Sequence, residues 1–525
     1  MNDRLHRRTV PADLDAPVNP ETVGIVHLGI GAFHRAHQAV FTELAARAHG
    51  DRRWGILGVT QRSATVRDQV RPQGGVYSVL TAGRDASSLD VVGSVLDVAW
   101  PAEETPRVLA TIAAPTTHLV TLTVTEKGYC RDAGGELDLD LVRPDLDALA
   151  TEQVLKGDGR VEPGRGTDGQ GGPQVAASTA IGLLVRGLAS RYRAACEAGE
   201  ALPLTVLTCD NMVDNGRVLE GLVRAALDTA VPGDTGLRAW LDAHVAFPCS
   251  MVDRIVPATT AQQRDAVEQR LGVRDEGLVV GEPYRQWVIE DRFAGPRPAW
   301  EDAGATITDD VAVWERAKLR LLNGTHSLLA YAGRLAGHAT IAEAVADPEI
   351  AQRARRLLFE DALPTLEAPE GADLPAYGES LLERFANPAT GHTTVQVSMD
   401  GTQKIPYRWG GTVAERLSAG VVPHGAVYAL AAWSEVVRRE AVSGRLVDDP
   451  RATELRDVVA AVGHGDAGSA RPQDVARALT ALPGLLPGGA RTDPELLDAV
   501  AAEAALLATE HVPTGPTSPA PVAVP

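Results

Sequence analysis

The chain is poor in cysteine, with four thiols in 525 residues: Cys130, Cys196, Cys209 and Cys249. None stand in CxxC spacing, so the sequence signals neither a structural zinc site nor a disulfide framework, and a reducing compartment is expected. No apolar run is long enough to span a bilayer. The opening "MNDRLHRRTVPADLDAP" has no apolar core of the kind a secretory signal needs. A cytoplasmic protein with no membrane partner is expected. Basic charge is also in deficit: 50 Lys and Arg stand against 69 Asp and Glu, a net charge of −19. That argues against nucleic acid or an anionic membrane as the main partner. There is no internal repeat. There is no GK[ST] either, so the glycine-rich segment 157–174, "GDGRVEPGRGTDGQGGPQ", reads as a surface loop and not a phosphate loop.

What is present is an alternation of buried strands and helices. "VGIVHLGIGAFHRAHQAVFTELAARA" reads as a strand at 23–28, a glycine turn, then a helix to about residue 48. "WGILGV" (54–59), "HLVTLTVTEKGY" (118–129) and "LPLTVLTCDNM" (202–212) read as further buried strands, with helices at 177–199 and 214–228. This pattern predicts an α/β fold with an N-terminal Rossmann-like doubly wound sheet. Beyond residue 309 helical periodicity takes over at 310–336, 340–363, 376–386, 411–418, 424–439 and 451–462. The expected organisation is a dinucleotide-binding domain over 1–309, a mainly α-helical C-terminal domain over 310–510 carrying substrate and catalytic residues, and a disordered proline-rich tail over 511–525.

The segment Leu28, Gly29, Ile30, Gly31, Ala32 and Phe33 joins the first strand to its helix. Glycine there permits a tight turn and lets backbone approach a pyrophosphate at a helix N-terminus. His34 occupies the place of the third glycine of the usual fingerprint. The acid that normally reads the ribose about 20 residues on is missing, because the second strand ends "GVTQRS". Arg62 could face a 2′-phosphate instead, so the residues leave NAD and NADP both open. His34 and His37 have HxxH spacing without an evident third ligand, and no metal site is expected.

"KLRLLNGTH" (318–326) sets Lys318, Asn323 and His326 in an otherwise apolar stretch. On an ideal helix at about 100° per residue, with Lys318 at zero, Glu315 falls near 60°, His326 near 80° and Asn323 near 140°. Trp314, Leu321 and Leu328 form the packing face, and Arg316 with Arg320 reads as a solvated stripe. Leu319 and Leu322 fall inside the polar arc, and Gly324 sits mid-helix at a cost of about 1 kcal/mol against alanine. Two other strand ends carry polar residues: Glu126 in "TEKGY" and Asp210–Asn211 in "CDNM". In open α/β sheets ligands bind beyond such ends. A lysine base, two amides on the reacting oxygen and a histidine on a neighbouring hydroxyl suit oxidation of a secondary alcohol without metal.

The blocks "IVHLGIGAFHRAHQA", "LTVTEKGY", "FPCSMVDRIVP", "EPYRQWVIED", "KLRLLNGTHS", "ERFANP" and "MDGTQKIP" resemble, in order from about residue 23 to 410, the long-chain mannitol dehydrogenase family of polyol and sugar-acid oxidoreductases. The resemblance implies an NAD-dependent enzyme acting on a CH–OH group. It implies Lys318 as general acid/base, Asn211 and Asn323 on the oxygen, and His326 beside them. It also implies substrate contacts at Asp253, His392 and Lys404, and a proton path through Glu126 and Glu315. Within the family the wording is closest to members acting on sugar acids, with fructuronate and D-mannonate as the expected pair. Gln396 stands where mannitol-oxidising members typically show arginine, and Arg408 is either a pocket residue or a surface arginine. Neutral polyols such as mannitol or arabinitol remain the alternative substrates. A non-catalytic dinucleotide sensor and a decarboxylating hydroxyacid dehydrogenase are alternatives of other kinds. The expected partner is a small sugar acid or polyol; the oligomeric state is left open.

Overall fold

A computed structural model describes residues 4–132, 134–152, 154–155, 161–162 and 175–509. The loop expected at 157–174 lies outside the described residues apart from Val161 and Glu162, as does the tail expected at 511–525. The chain divides into two compact units, one running through Val311 and one starting at Ala312.

The first unit is built on six strands: β1 (Val23–Leu28), β2 (Gly55–Val59), β3 (Val95–Ala99), β4 (Leu119–Leu122), β5 (Leu204–Thr208) and β6 (Val245–Ala246). They lie side by side as β3-β2-β1-β4-β5-β6, every neighbouring pair parallel. This is the doubly wound order, whose direction of winding reverses between β1 and β4, so the crevice beyond their carboxyl ends is the switch point. Alternation of side chains along the strands serves both faces. Val26 and Leu28 join Leu57, Val120 and Val206 under the helices Pro101–Ala113 and Ala180–Ala198. Ile25, Ile56, Leu119 and Leu207 face the opposite way, against Phe41, Trp287 and Trp300.

In this first unit three expectations change. The strand read over 118–129 is only four residues long, because the Asp210 carboxylate takes the N–H groups of Val124 and Thr125 away from the ladder. The helix after the glycine turn breaks at His37 (φ −125°, ψ −87°) into Ala32–Ala36 and Gln38–His49. Two small sheets also escape the periodicity: Tyr77–Ala82 between Ser87–Val92 and Val279–Gly281, and Gln286–Glu290 between Ser250–Asp253 and Thr306–Thr308.

The second unit is helical, around the buried helix His424–Val442, which packs against Gly324–Ala336, Pro472–Thr480 and Pro494–Thr509. The stretch 340–363 is not one helix: Asp347 ends Ile341–Ala346 and caps Pro348–Arg356, accepting from the N–H groups of Glu349 and Ile350. The stretch 310–336 is interrupted as well: Val311–Lys318 is α-helical, Leu319–Asn323 is a π turn, and the α-helix resumes at Gly324.

One arginine locks the sheet to its helices. Arg191, fully buried, donates to four carbonyls: Leu202 (2.8 Å), Ile112 (2.6 Å), Ala114 (3.0 Å) and Pro203 (3.0 Å). Burial lowers its pKa to about 10. Replacement by methionine leaves those oxygens unpaired, and Arg191→Met is expected to lose about 3 kcal/mol or more of stability, read as a large drop in thermal midpoint. An unchanged midpoint would show that the carbonyls find other donors.

Candidate active site

The glycine turn follows from what surrounds it. Gly29 has φ +95°, and a Cβ there would run into the Thr123 carbonyl oxygen, so only glycine fits. Gly31 is different. A Cβ there meets nothing nearer than the Gly29 oxygen at 3.8 Å, and the residue is exposed. Its open side leaves room for close approach of a phosphate, which is what a dinucleotide needs here. The Gly29 peptide is fixed from behind: Thr123 Oγ1 donates to its carbonyl (2.9 Å), and His27 Nε2 lies 2.8 Å from Thr123 Oγ1. His34, in the third-glycine position, stacks on His27 with ring centroids 3.4 Å apart. His37 turns the other way and donates from Nε2 to the Gln286 carbonyl (2.9 Å). Past β2, Thr60 is buried, Gln61 half-buried and Arg62 exposed, and Gln61 Nε2 has no partner among the described residues.

Three strand ends of the first unit carry the other expected residues. Asn211 is exposed, three residues beyond β5; Glu126 is exposed and opens the short turn Glu126–Tyr129 after β4; Asp253 is buried at the end of its strand, opposite Gln286. Asp210 binds the first two of these segments together, a role the sequence reading did not assign. An acid directly before Asn211 at a strand end was the available signal.

In the second unit the π turn changes the geometry of the lysine helix. A π turn holds one residue more than an α turn. Counted from Lys318, Asn323 therefore takes the direction of an i+4 neighbour and His326 that of an i+7 neighbour. Glu315 precedes Lys318 by three. These positions share one face, at about 60°, 0°, 40° and 340° for Glu315, Lys318, Asn323 and His326. The ideal-helix estimate had spread them over about 140°. Lys318 and Asn323 are buried. Arg320, expected in a solvated stripe, is buried and bridges Glu415 (2.6 Å) and Thr365 Oγ1 (2.7 Å).

A second π turn, Pro406–Gly410, faces the first. From it Arg408 donates to the Asn323 carbonyl (3.2 Å) and Ser327 Oγ (2.6 Å), and Trp409 Nε1 donates to the Gly324 carbonyl (3.0 Å). Gly324 lets them come close: a Cβ there would sit 3.2 Å from the Arg408 oxygen and 3.4 Å from the Trp409 ring. Arg408 is thus a half-buried member of the helix seat and not a surface arginine; burial lowers its pKa to about 10.

His326 lies between Phe385 (5.2 Å between centroids) and His392 (5.4 Å). Its Nε2 is buried without a partner among the described residues. Burial first, then the charges of His392, Arg408, Lys404 and Arg384, push its pKa well below the usual imidazole value. It is neutral near pH 7, in a basic environment on an acidic protein. Lys404 Nζ donates to the Met399 carbonyl (2.7 Å) and lies 3.8 Å from Asp400. Arg384 was the member of this group that the sequence reading missed; it sits in "ERFANP".

The chain as a whole is similar to known proteins. A family model for the mannitol dehydrogenase Rossmann domain matches residues 23–302, and one for the mannitol dehydrogenase C-terminal domain matches residues 310–473. D-mannonate oxidoreductase of Escherichia coli (strain K12) is 38% identical over 443 residues, 83% of this chain and 84% of its own. Mannitol 2-dehydrogenase of Pyrenophora tritici-repentis is 34% identical over 441 residues, 82% of this chain and 73% of its own. Among solved structures, the ternary complex of Pseudomonas fluorescens mannitol 2-dehydrogenase with NAD and D-mannitol superposes with a TM-score of 0.74 at 29% identity, over 96% of this chain and 97% of that one.

The buried His27 makes the glycine turn sensitive to acid. Burial lowers its pKa to about 3. Above pH 6.5 neither folded nor unfolded chain protonates this ring; below it the unfolded chain takes up a proton that the folded chain refuses. Stability is therefore lost as pH falls from about 6.5 toward 3, by about 2 kcal/mol at pH 5. The stability gap between wild type and His27→Asn is expected to narrow by that amount between pH 7 and pH 5 in denaturant unfolding. Parallel pH profiles would contradict it.

Proposed function

Because the chain belongs to the mannitol dehydrogenase family, we propose that it is a metal-independent, NAD(H)-dependent oxidoreductase that interconverts a keto sugar acid and its alcohol, with fructuronate and D-mannonate as the pair. The observation that carries the choice of a sugar acid is the set of cations whose charges reach His326: Arg408, Lys404 and Arg384. A neutral polyol brings no charge to such a place, whereas a carboxylate forms charge-assisted hydrogen bonds with it. Gln396, in place of a mannitol-type arginine, leaves the cations to come from Arg384, Lys404 and Arg408.

NADH, when bound, supplies the hydride, and the open Gly31 side of the glycine turn suits its pyrophosphate. The protein's own work is to hold the carbonyl and deliver a proton. Lys318 gives a proton from its ammonium group to the oxygen as it becomes an alkoxide, and takes it back in the oxidation direction. Asn211 and Asn323 donate amide N–H groups to the same oxygen. His326, kept neutral, bonds a neighbouring hydroxyl and does not compete with Lys318 for the proton. Glu315, on the same helix face, and Glu126 return protons to solvent. Asp253, His392 and Lys404 orient the rest of the substrate.

The test is NADH and NADPH oxidation against fructuronate, tagaturonate, fructose and ribulose. The uronates should exceed fructose in kcat/KM by about 100-fold, the value of two charge-assisted hydrogen bonds. A preference for the neutral ketoses would make the enzyme a polyol dehydrogenase instead. Lys318→Ala should lose about 10²–10⁴-fold in kcat while NADH still binds by fluorescence titration. Near-normal turnover in that variant would remove Lys318 from the proton transfer, and cofactor binding without turnover in the wild type would point to a sensor.

A further inference from the structure

We infer that Asp210, supported by Asn215, is a positioning residue that ties the loop after β4, the end of β5 and the start of the strand Ser250–Asp253 into one register. The inference rests on the roles proposed above for Glu126, Asn211 and Asp253. Asp210 Oδ1 accepts from the Thr125 N–H (3.0 Å), and Oδ2 accepts from the Val124 N–H (2.9 Å) and the Tyr129 hydroxyl (2.8 Å). Tyr129 also meets Thr208 Oγ1 at the end of β5. One carboxylate thus ties down both ends of the loop after β4. Asn215 continues the tie. Its Nδ2 donates to the carbonyls of Asp210 (3.0 Å) and Ser250 (2.7 Å), and its Oδ1 accepts from the Ser250 N–H (3.0 Å). Ser250 Oγ donates to the Thr208 carbonyl (2.6 Å). Ser250 begins the strand that ends in Asp253.

The clamp has a specific load. Thr125 sits at φ 64°, ψ 162°, a backbone region that glycine enters freely and threonine does not. Two of the three bonds to Asp210 come from Thr125 and its predecessor, and Glu126 is the next residue. Without the carboxylate, Thr125 relaxes to negative φ and carries Glu126 out of place. On the other side, Asp210 is the residue before Asn211, so its own anchoring fixes where that amide starts. Asp210 acts through these neighbours and touches no reacting atom.

Asp210→Asn is isosteric but turns an acceptor oxygen into an amide nitrogen facing backbone N–H groups. It is expected to lower kcat with the keto acid about 10- to 100-fold, the cost of misplacement by about 1 Å, while the KM for NADH stays within about two-fold. Amide hydrogen exchange at 124–129 should rise. Adding Thr125→Gly to the same chain removes the load and should recover kcat about five-fold or more and slow the exchange again. Unchanged kcat in Asp210→Asn would overturn the inference. So would a loss of kcat that Thr125→Gly does not recover, together with a raised KM for NADH, since that is general loosening. Asn211→Ala is measured alongside: if it turns over normally, the reading of the site fails, while exchange at 124–129 still reports on the clamp by itself.

Discussion

One extra residue in the turn Leu319–Asn323 is the constraint on which the arrangement of the lysine helix depends. A π turn shifts the register of the helix that follows it. Arg408 and Trp409 grip the start of that following helix, donating to the carbonyls of Asn323 and Gly324. They come close because residue 324 has no side chain. The oddities of the segment, a mid-helix glycine and polar residues in an apolar run, are thus one device. The bulge aligns Lys318, Asn323 and His326, and the second π turn keeps the bulge in place.

The first unit uses the same logic on its loops. Backbone leaves the ordinary regions at Gly29 and Thr125, both just past strand ends next to the β1–β4 switch point. Each departure is held by polar side chains: Thr123 and His27 for the first, Asp210 and Tyr129 for the second. The sheet core is generic, Val and Leu alternating over two faces. The strand ends are where specific hydrogen bonds concentrate, and they are also where a ligand of a doubly wound sheet sits.

The parts legible in the sequence are those with local cause. Apolar runs bounded by glycine or polar turns marked β1, β2, β4 and β5, and the GxG pair marked the turn between β1 and its helix. The small sheets were not legible: Tyr77–Ala82 pairs locally with Ser87–Val92 in a hairpin, but its other neighbour, Val279–Gly281, is about 200 residues away. The residue types of the lysine helix were readable, but their common face was not, since an ideal helix was assumed. Leu319 and Leu322 falling among the polar residues recorded the slipped register. Arg320 looked solvated because its partner Glu415 lies 95 positions away. The work of Asp210 needed the neighbouring strand to be seen.

The electrostatics of the helical unit bring the argument to the proton. A net charge of −19 says little about this place, since exposed charges more than about 8–10 Å away are screened. What acts on His326 is local and basic, and burial weighs against its charged form first. An imidazole held neutral cannot be the acid near pH 7. On the face made by the bulge, the group to which we assign the proton transfer is Lys318, with Asn323 and Glu315 sharing its direction. In the reaction proposed above, a substrate carboxylate arriving among Arg384, Lys404 and Arg408 offsets part of the positive field that they set up around His326.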